Sequence, residues 1–152
     1  MSIVKSIMTN HFEYKVKRNW DKTYWFFDIH ATILRPNYTY GNTPKEFYPY
    51  AKETLQFLSK LPDIEMIIYT CSHSHEIDEY IKLFKENDIN FKYVNENPEV
   101  ITQKEGYGCY DKKPYMNVLF EDKAGFDAEV EWKEVLELMI SKYGSTSISS
   151  II

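Results

Sequence analysis

Tyr24-Trp25-Phe26-Phe27-Asp28-Ile29-His30-Ala31-Thr32-Ile33-Leu34 is the stretch on which the fold turns. Large apolar residues run into an acid, and small and polar residues follow. A continuous apolar run of this length reads as a strand buried on both faces, of the kind found in parallel sheets. A carboxylate at its C-terminal end stands where open α/β sheets hold their ligands. From this stretch alone, Asp28 is either a strand terminator or the centre of an active site.

Working outward, the pattern alternates between strands and helices. Residues 1–23 read as a polar N-terminal extension with a short strand at Phe12–Val16. After β-type residues 24–28 comes a turn-rich loop from Arg35 to Asn42. Thr43-Pro44 reads as a helix start, with Thr43 as N-cap and Glu46 in the capping-box position. Phe47, Tyr50, Ala51, Thr54, Leu55 and Leu58 follow at helical spacing. Glu65–Thr70 is a second buried strand, Ile77, Tyr80, Ile81 and Phe84 mark a second helix, and Phe91–Val94 is a short third strand. Residues 95–111 form a long loop. Asn117–Glu121 is a fourth strand that again runs into acids. Trp132, Val135, Leu136, Met139, Ile140 and Tyr143 form the core stripe of a last helix. Residues 144–152 read as an edge strand or a tail. Strands alternating with helices predict parallel pairing through right-handed crossovers. The expected architecture is a small, doubly wound, Rossmann-like α/β domain with helices on both faces, spanning residues 1–152.

Gross composition agrees with a globular domain. A chain of 152 residues with 43% hydrophobic and 27% charged residues has the usual balance of a soluble protein. Aromatic content is high, at 16%, and reads first as core and half-buried surface. The net charge of −5, with no basic cluster beyond Lys15, Lys17, Arg18 and Lys22, argues against a dedicated nucleic-acid-binding surface. Cys71 and Cys109 make no disulfide framework. The chain shows neither a signal-peptide pattern nor an apolar run of the ~18–20 residues that span a bilayer. A cytoplasmic protein with reduced thiols is expected.

Parallel strands share a direction, so Asp28, Thr70 and Glu121-Asp122 are predicted to meet on one rim. An oxygen-rich group of this kind suits Mg²⁺, which takes one or two carboxylates and keeps waters or phosphate oxygens. A carboxylate can also attack phosphorus and form an aspartyl-phosphate. The phosphoryl charge then needs a cation, and Lys112 or Lys113 lies just upstream of the fourth strand.

Asp28-Ile29-His30-Ala31-Thr32, the strand-terminal Thr70, Lys113-Pro114 and Glu121-Asp122 together resemble the four motifs of the haloacid dehalogenase-like superfamily, in order along the chain. The segment from Lys113 to Phe126 is similar to the last two motifs of small members. The resemblance implies that Asp28 is the nucleophile and a Mg²⁺ ligand, with position 30 offering its backbone carbonyl to the metal. Thr70, with Cys71 beside it, would bind the phosphoryl oxygens. Lys113, or its neighbour Lys112, would stabilise the phosphoryl charge. Glu121 and Asp122 would hold the metal, with Asp127 a lesser candidate. The implied substrate is a phosphorylated small molecule or macromolecule end. The sequence leaves little room for a cap domain, which implies an open site.

One position departs from the pattern. Phosphatases of the superfamily carry a second aspartate two residues after the nucleophile, and here His30 stands there. Imidazole can perform general acid–base chemistry near neutral pH, although a nearby cation disfavours its protonated form. His30 as a working substitute, a slower or altered reaction, and a catalytically weak domain serving as a binding or assembly module are all open at this point.

Lesser signals have plainer readings. Cys71-Ser72-His73-Ser74-His75 holds three soft-metal ligands, but a zinc site needs about four that converge. A loop and helix cap, with Ser72 or Ser74 capping, accounts for the segment. Tyr38, Tyr40, Tyr48 and Tyr50 read as half-buried packing or as a stacking surface beside the site.

Overall fold

The computed structural model describes residues 2–37, 39 and 41–151, with side chains through residue 144. Its elements in chain order are α1 (Ile3–Lys17), β1 (Thr23–Phe27), α2 (Ala51–Ser59), β2 (Ile64–Ile68), α3 (Ser74–Glu86), β3 (Tyr93–Val94), β4 (Val118–Phe120) and α4 (Glu131–Ile151). The four strands form one sheet in the order β3-β2-β1-β4. Every pairing is parallel. β1 lies inside the sheet, which explains its unbroken apolar run: all five of its residues are buried.

The chain steps from β1 to β2 to β3 in one direction and then returns to the far side of β1 as β4. Right-handed crossovers that step in opposite directions lie on opposite faces of a sheet. One face accordingly carries the helices. Trp25, Phe27, Met66, Ile68, Val118 and Phe120 share one core with Met8 of α1, Leu55 of α2, Tyr80 and Phe84 of α3, and Trp132 of α4. On the other face Tyr24, Phe26 and Ile67 pack beneath Val100, Tyr115 and Met116. The doubly wound α/β class is thus as expected. Its second face, where the sequence reading also places helices, is covered by the helix-free crossover between β3 and β4.

That crossover is pinned by one carboxylate. Glu99 accepts hydrogen bonds from Lys22 at 2.6 Å, Tyr93 at 2.7 Å, Lys92 at 3.1 Å and Tyr24 at 3.2 Å. Burial pushes the Glu99 carboxyl up, but the bonds from Lys22, Tyr93 and Lys92 outweigh it and bring it down to about 2.

Three local expectations are corrected. Phe12–Val16 is helical, not a strand. The Ser2 hydroxyl accepts from the Lys5 N–H at 3.3 Å to cap α1. Val4, Met8, His11 and Phe12 bury one helical face. The helix expected from Thr43-Pro44 begins at Ala51 instead. The backbone of residues 46–48 is spent on the loop after β1 instead: Arg35 N–H donates to Glu46 O at 2.8 Å and Tyr48 N–H to Ile33 O at 3.1 Å. Tyr50 takes a left-handed φ of 65° to start α2. No edge strand forms at the C-terminus among the described residues. The α4 assignment runs to Ile151, with a break at Gly144 (φ 75°, ψ 174°).

The Glu99 network gives a pH prediction. A carboxyl held below its ordinary value stabilises the fold above about pH 4.5, and that contribution is lost as pH falls toward about 2. Glu99→Gln is expected to lower the melting temperature at pH 7 by about 2–4 °C, on the order of 1 kcal/mol for this largely solvated cluster. Melting curves at pH 7 and pH 3 check it: the gap between wild type and variant should shrink at the lower pH.

Candidate active site

The switch point of the sheet lies between β1 and β4, and it builds the site. Phe27 and Phe120 are register partners. Their rings stack at 5.0 Å with an interplanar angle of 9°, and Trp132 stacks on both. The next residues on the two strands are Asp28 and Glu121. Asp28 N–H donates to Phe120 O at 3.0 Å. Asp122 opens a single 3₁₀ turn ending at Gly125, whose φ of 109° suits a residue without a side chain.

Asp28, Glu121 and Asp122 each offer a carboxylate oxygen within 4.8 Å of the other two. Among the described residues this is the one group of three or more histidine, cysteine or acidic side chains that close. All three border a cleft of about 470 Å³, together with His30, Ala31, Thr70, Cys71, Ser72, His73, Glu76 and Lys123. Burial, with the charges of Asp122 and Glu121, pushes the Asp28 carboxyl up to about 6, against the opposing pull of the Ile29 N–H.

Two locks hold the rim. Thr32 is fully buried. Its hydroxyl accepts from Asp122 N–H at 3.2 Å and its carbonyl accepts from the Trp132 indole at 2.7 Å, tying the loop after β1 to the acidic turn. Across the cleft, Thr70 N–H donates to the Asn95 side-chain oxygen at 2.7 Å, and the Asn95 amide donates back to Thr70 O at 2.8 Å. Sequence reasoning misses both locks. The signal for Thr32 is a hydroxyl inside an apolar stretch; that for Asn95 is an amide directly after a strand.

The structure brings Asp28, His30, Thr70, Cys71, Glu121 and Asp122 to one cleft. It does not bring Lys113 there. Lys112 borders a neighbouring cleft with Asn97 and Asp111. The lysine on the rim is Lys123, supplied by the 3₁₀ turn itself. Asp127 is occupied elsewhere, its N–H and carboxylate bonded to Glu131 and Glu129 at the start of α4. His73, not Ser72 or Ser74, takes the N-cap of α3, and its N–H donates to Glu76 at 3.0 Å. The His73 and His75 rings stack in parallel 5.7 Å apart, and no zinc-like group forms with Cys71 among the described residues. Tyr48 and Tyr50 do not line the cleft, and Tyr38 and Tyr40 lie outside the described residues.

No family model and no curated protein matches the chain. A solved structure of a conserved protein from Bacteroides thetaiotaomicron is similar, with 20% identity and a TM-score of 0.58. The match covers 84% of this chain and 97% of that one. That likeness shows the fold alone. Among the described residues no helix is long and apolar enough to cross a membrane.

The raised Asp28 carboxyl carries a sign that can be tested. Its contribution to stability is full below about pH 3.8 and is lost as pH rises through about 6. At neutral pH the cost is at most roughly 3 kcal/mol, and partial hydration of this half-buried group reduces it to about 1–2 kcal/mol. Asp28→Asn is therefore expected to raise the melting temperature of the metal-free protein at pH 7.5 by about 2–6 °C, read by calorimetry. An unchanged or lower value would contradict the burden placed on Asp28.

Proposed function

We propose that the protein is a Mg²⁺-dependent phosphohydrolase that works through an aspartyl-phosphate at Asp28. The observation that carries this reading is the closure of Asp28, Glu121 and Asp122 within 4.8 Å at the switch point of a parallel sheet. Three carboxylates with no nitrogen or sulfur donor among them fit a hard cation. Asp28, Glu121 and Asp122 would hold Mg²⁺, and the backbone carbonyl of His30 would add a further oxygen ligand. Bound there, the ion supplies charge neutralisation for the ionised Asp28 and for phosphoryl oxygens.

The chain's own groups account for the rest. The Asp28 carboxylate attacks phosphorus, the bond from phosphorus to the leaving oxygen breaks, and water then hydrolyses the acyl-phosphate to phosphate and free carboxylate. Thr70 lies across the cleft for the phosphoryl oxygens. Residues 71–73 lead into α3, a 13-residue helix whose N-terminal end favours an anion. Lys123 is the cation that the geometry offers in place of Lys113. The cleft is open, which suits substrates that bring their own bulk.

A second reading, a phosphate-binding module without turnover, is favoured by one observation. His30 stands where the superfamily pattern has an acid, and its imidazole is bonded to Tyr80 at 2.6 Å.

With Mg²⁺ and a generic aryl phosphate, turnover that chelation stops is expected. Asp28→Asn should lower kcat by roughly 10³-fold or more. Full activity in that variant would reject the mechanism, and absence of turnover in the wild type would favour the second reading. Steady-state assays of Lys123→Ala and Lys113→Ala separate the two lysines: the Lys123 variant should lose about tenfold or more in kcat/KM. The larger loss falling on Lys113 would reverse the assignment.

A further inference from the structure

His30, on the cleft, is hydrogen-bonded to a buried tyrosine of α3. Its Nε2 lies 2.6 Å from the Tyr80 hydroxyl, with the two rings edge-on. Tyr80 is fully buried on α3, so its hydroxyl has few groups to bond. Ser72 Oγ lies 3.0 Å from Thr70 Oγ1, and Ser72 N–H donates to Thr70 Oγ1 at 3.2 Å.

The direction of the Tyr80–His30 bond follows from satisfying a buried phenol proton. His30 Nε2 is the acceptor within reach of the buried Tyr80 hydroxyl, so the Tyr80 proton goes to His30. Burial, with the charges of Glu76 and Glu79, pushes the Tyr80 hydroxyl up to about 12, so it keeps a proton to donate. An imidazole nitrogen that accepts must be the unprotonated one, and the other then carries the hydrogen.

We propose that Tyr80 is a positioning residue that holds His30 in its Nδ1–H tautomer, as a neutral hydrogen-bond donor on the cleft for the leaving-group oxygen of a phosphate ester. The catalytic half of this statement rests on the phosphohydrolase reading; the tautomer does not. The position that the superfamily pattern gives to a carboxylic acid would then offer a fixed N–H instead. Tyr80 does not line the cleft, and its hydroxyl reaches the site through His30, as groups that orient a catalytic imidazole do.

The test is the tautomer of His30, read from long-range ¹H–¹⁵N spectra of the full chain at pH 8.5. The chain has four histidines, and the spectrum of His30→Gln identifies the signal. Nδ1–H as the dominant form is expected, with Tyr80→Phe turning the majority to the Nε2–H form that unconstrained histidine prefers. A dominant Nε2–H form in the wild type, or no change in Tyr80→Phe, would overturn the proposal. Kinetics give the second arm. Tyr80→Phe should lower kcat about tenfold with little change in KM. It should cost nothing further when added to His30→Gln, since the two act through one group. Additive losses would overturn the positioning role. If no variant and no wild-type sample turns over substrate while the tautomer behaves as expected, the phosphohydrolase reading falls and the orientation of His30 stands.

Discussion

The parallel pairing of β1 with β4 is the interaction on which the rest depends. Carboxylates do not gather within 4.8 Å of one another unaided, and here burial and mutual repulsion keep one of them protonated to unusually high pH. What offsets that cost is apolar. Phe27, Phe120 and Trp132 form a buried aromatic stack directly beneath the acids. Sliding β4 by one residue would turn its side chains to the opposite face and take Phe120 out of the stack. The same register that buries the rings places Glu121 beside Asp28, so packing specificity and site geometry are one constraint.

Around that pair, the loops are held by polar groups with two bonds each. Thr32 ties the turn after β1 to the acidic turn after β4, and Asn95 ties the end of β2 to the end of β3. Loops at the carboxyl end of a parallel sheet need such bonds because they run where the strand ladder has stopped. Lys123 follows the acids directly in sequence on the same rim, and so moves with the turn that carries them.

Much of this was legible in the sequence, for physical reasons. Buried parallel strands have no polar face, so Trp25–Phe27 and Met66–Ile68 stand out as runs. Strand ends that share a direction share a rim, so Asp28, Thr70 and Glu121-Asp122 could be placed together. The failures also have causes. Phe12, Tyr14 and Val16 satisfy a strand alternation as well as a helix, and the helical face of α1 is blurred by a buried His11. Lys113 is near β4 in sequence, but the crossover that carries it covers the other face of the sheet. Tyr80 fits an apolar stripe so well that its hydroxyl drew no notice; only the fold shows that the tip meets His30.

The helix-free crossover has a kinetic meaning. β1 and β2 meet across a single helical unit, whereas Tyr24 and Asn117, bonded where β1 meets the approach to β4, are 93 residues apart. Contacts of such separation form late, because the chain entropy of closing the loop must be overcome before the pairing rewards it. A crossover without a helix offers little local structure to shorten that search. The sheet and its helices β1-α2-β2-α3-β3 can thus condense first as a scaffold with Asp28 and Thr70 in place. The acidic pair then docks together with Phe120, so the charge repulsion and the aromatic stack that offsets it arrive in one step.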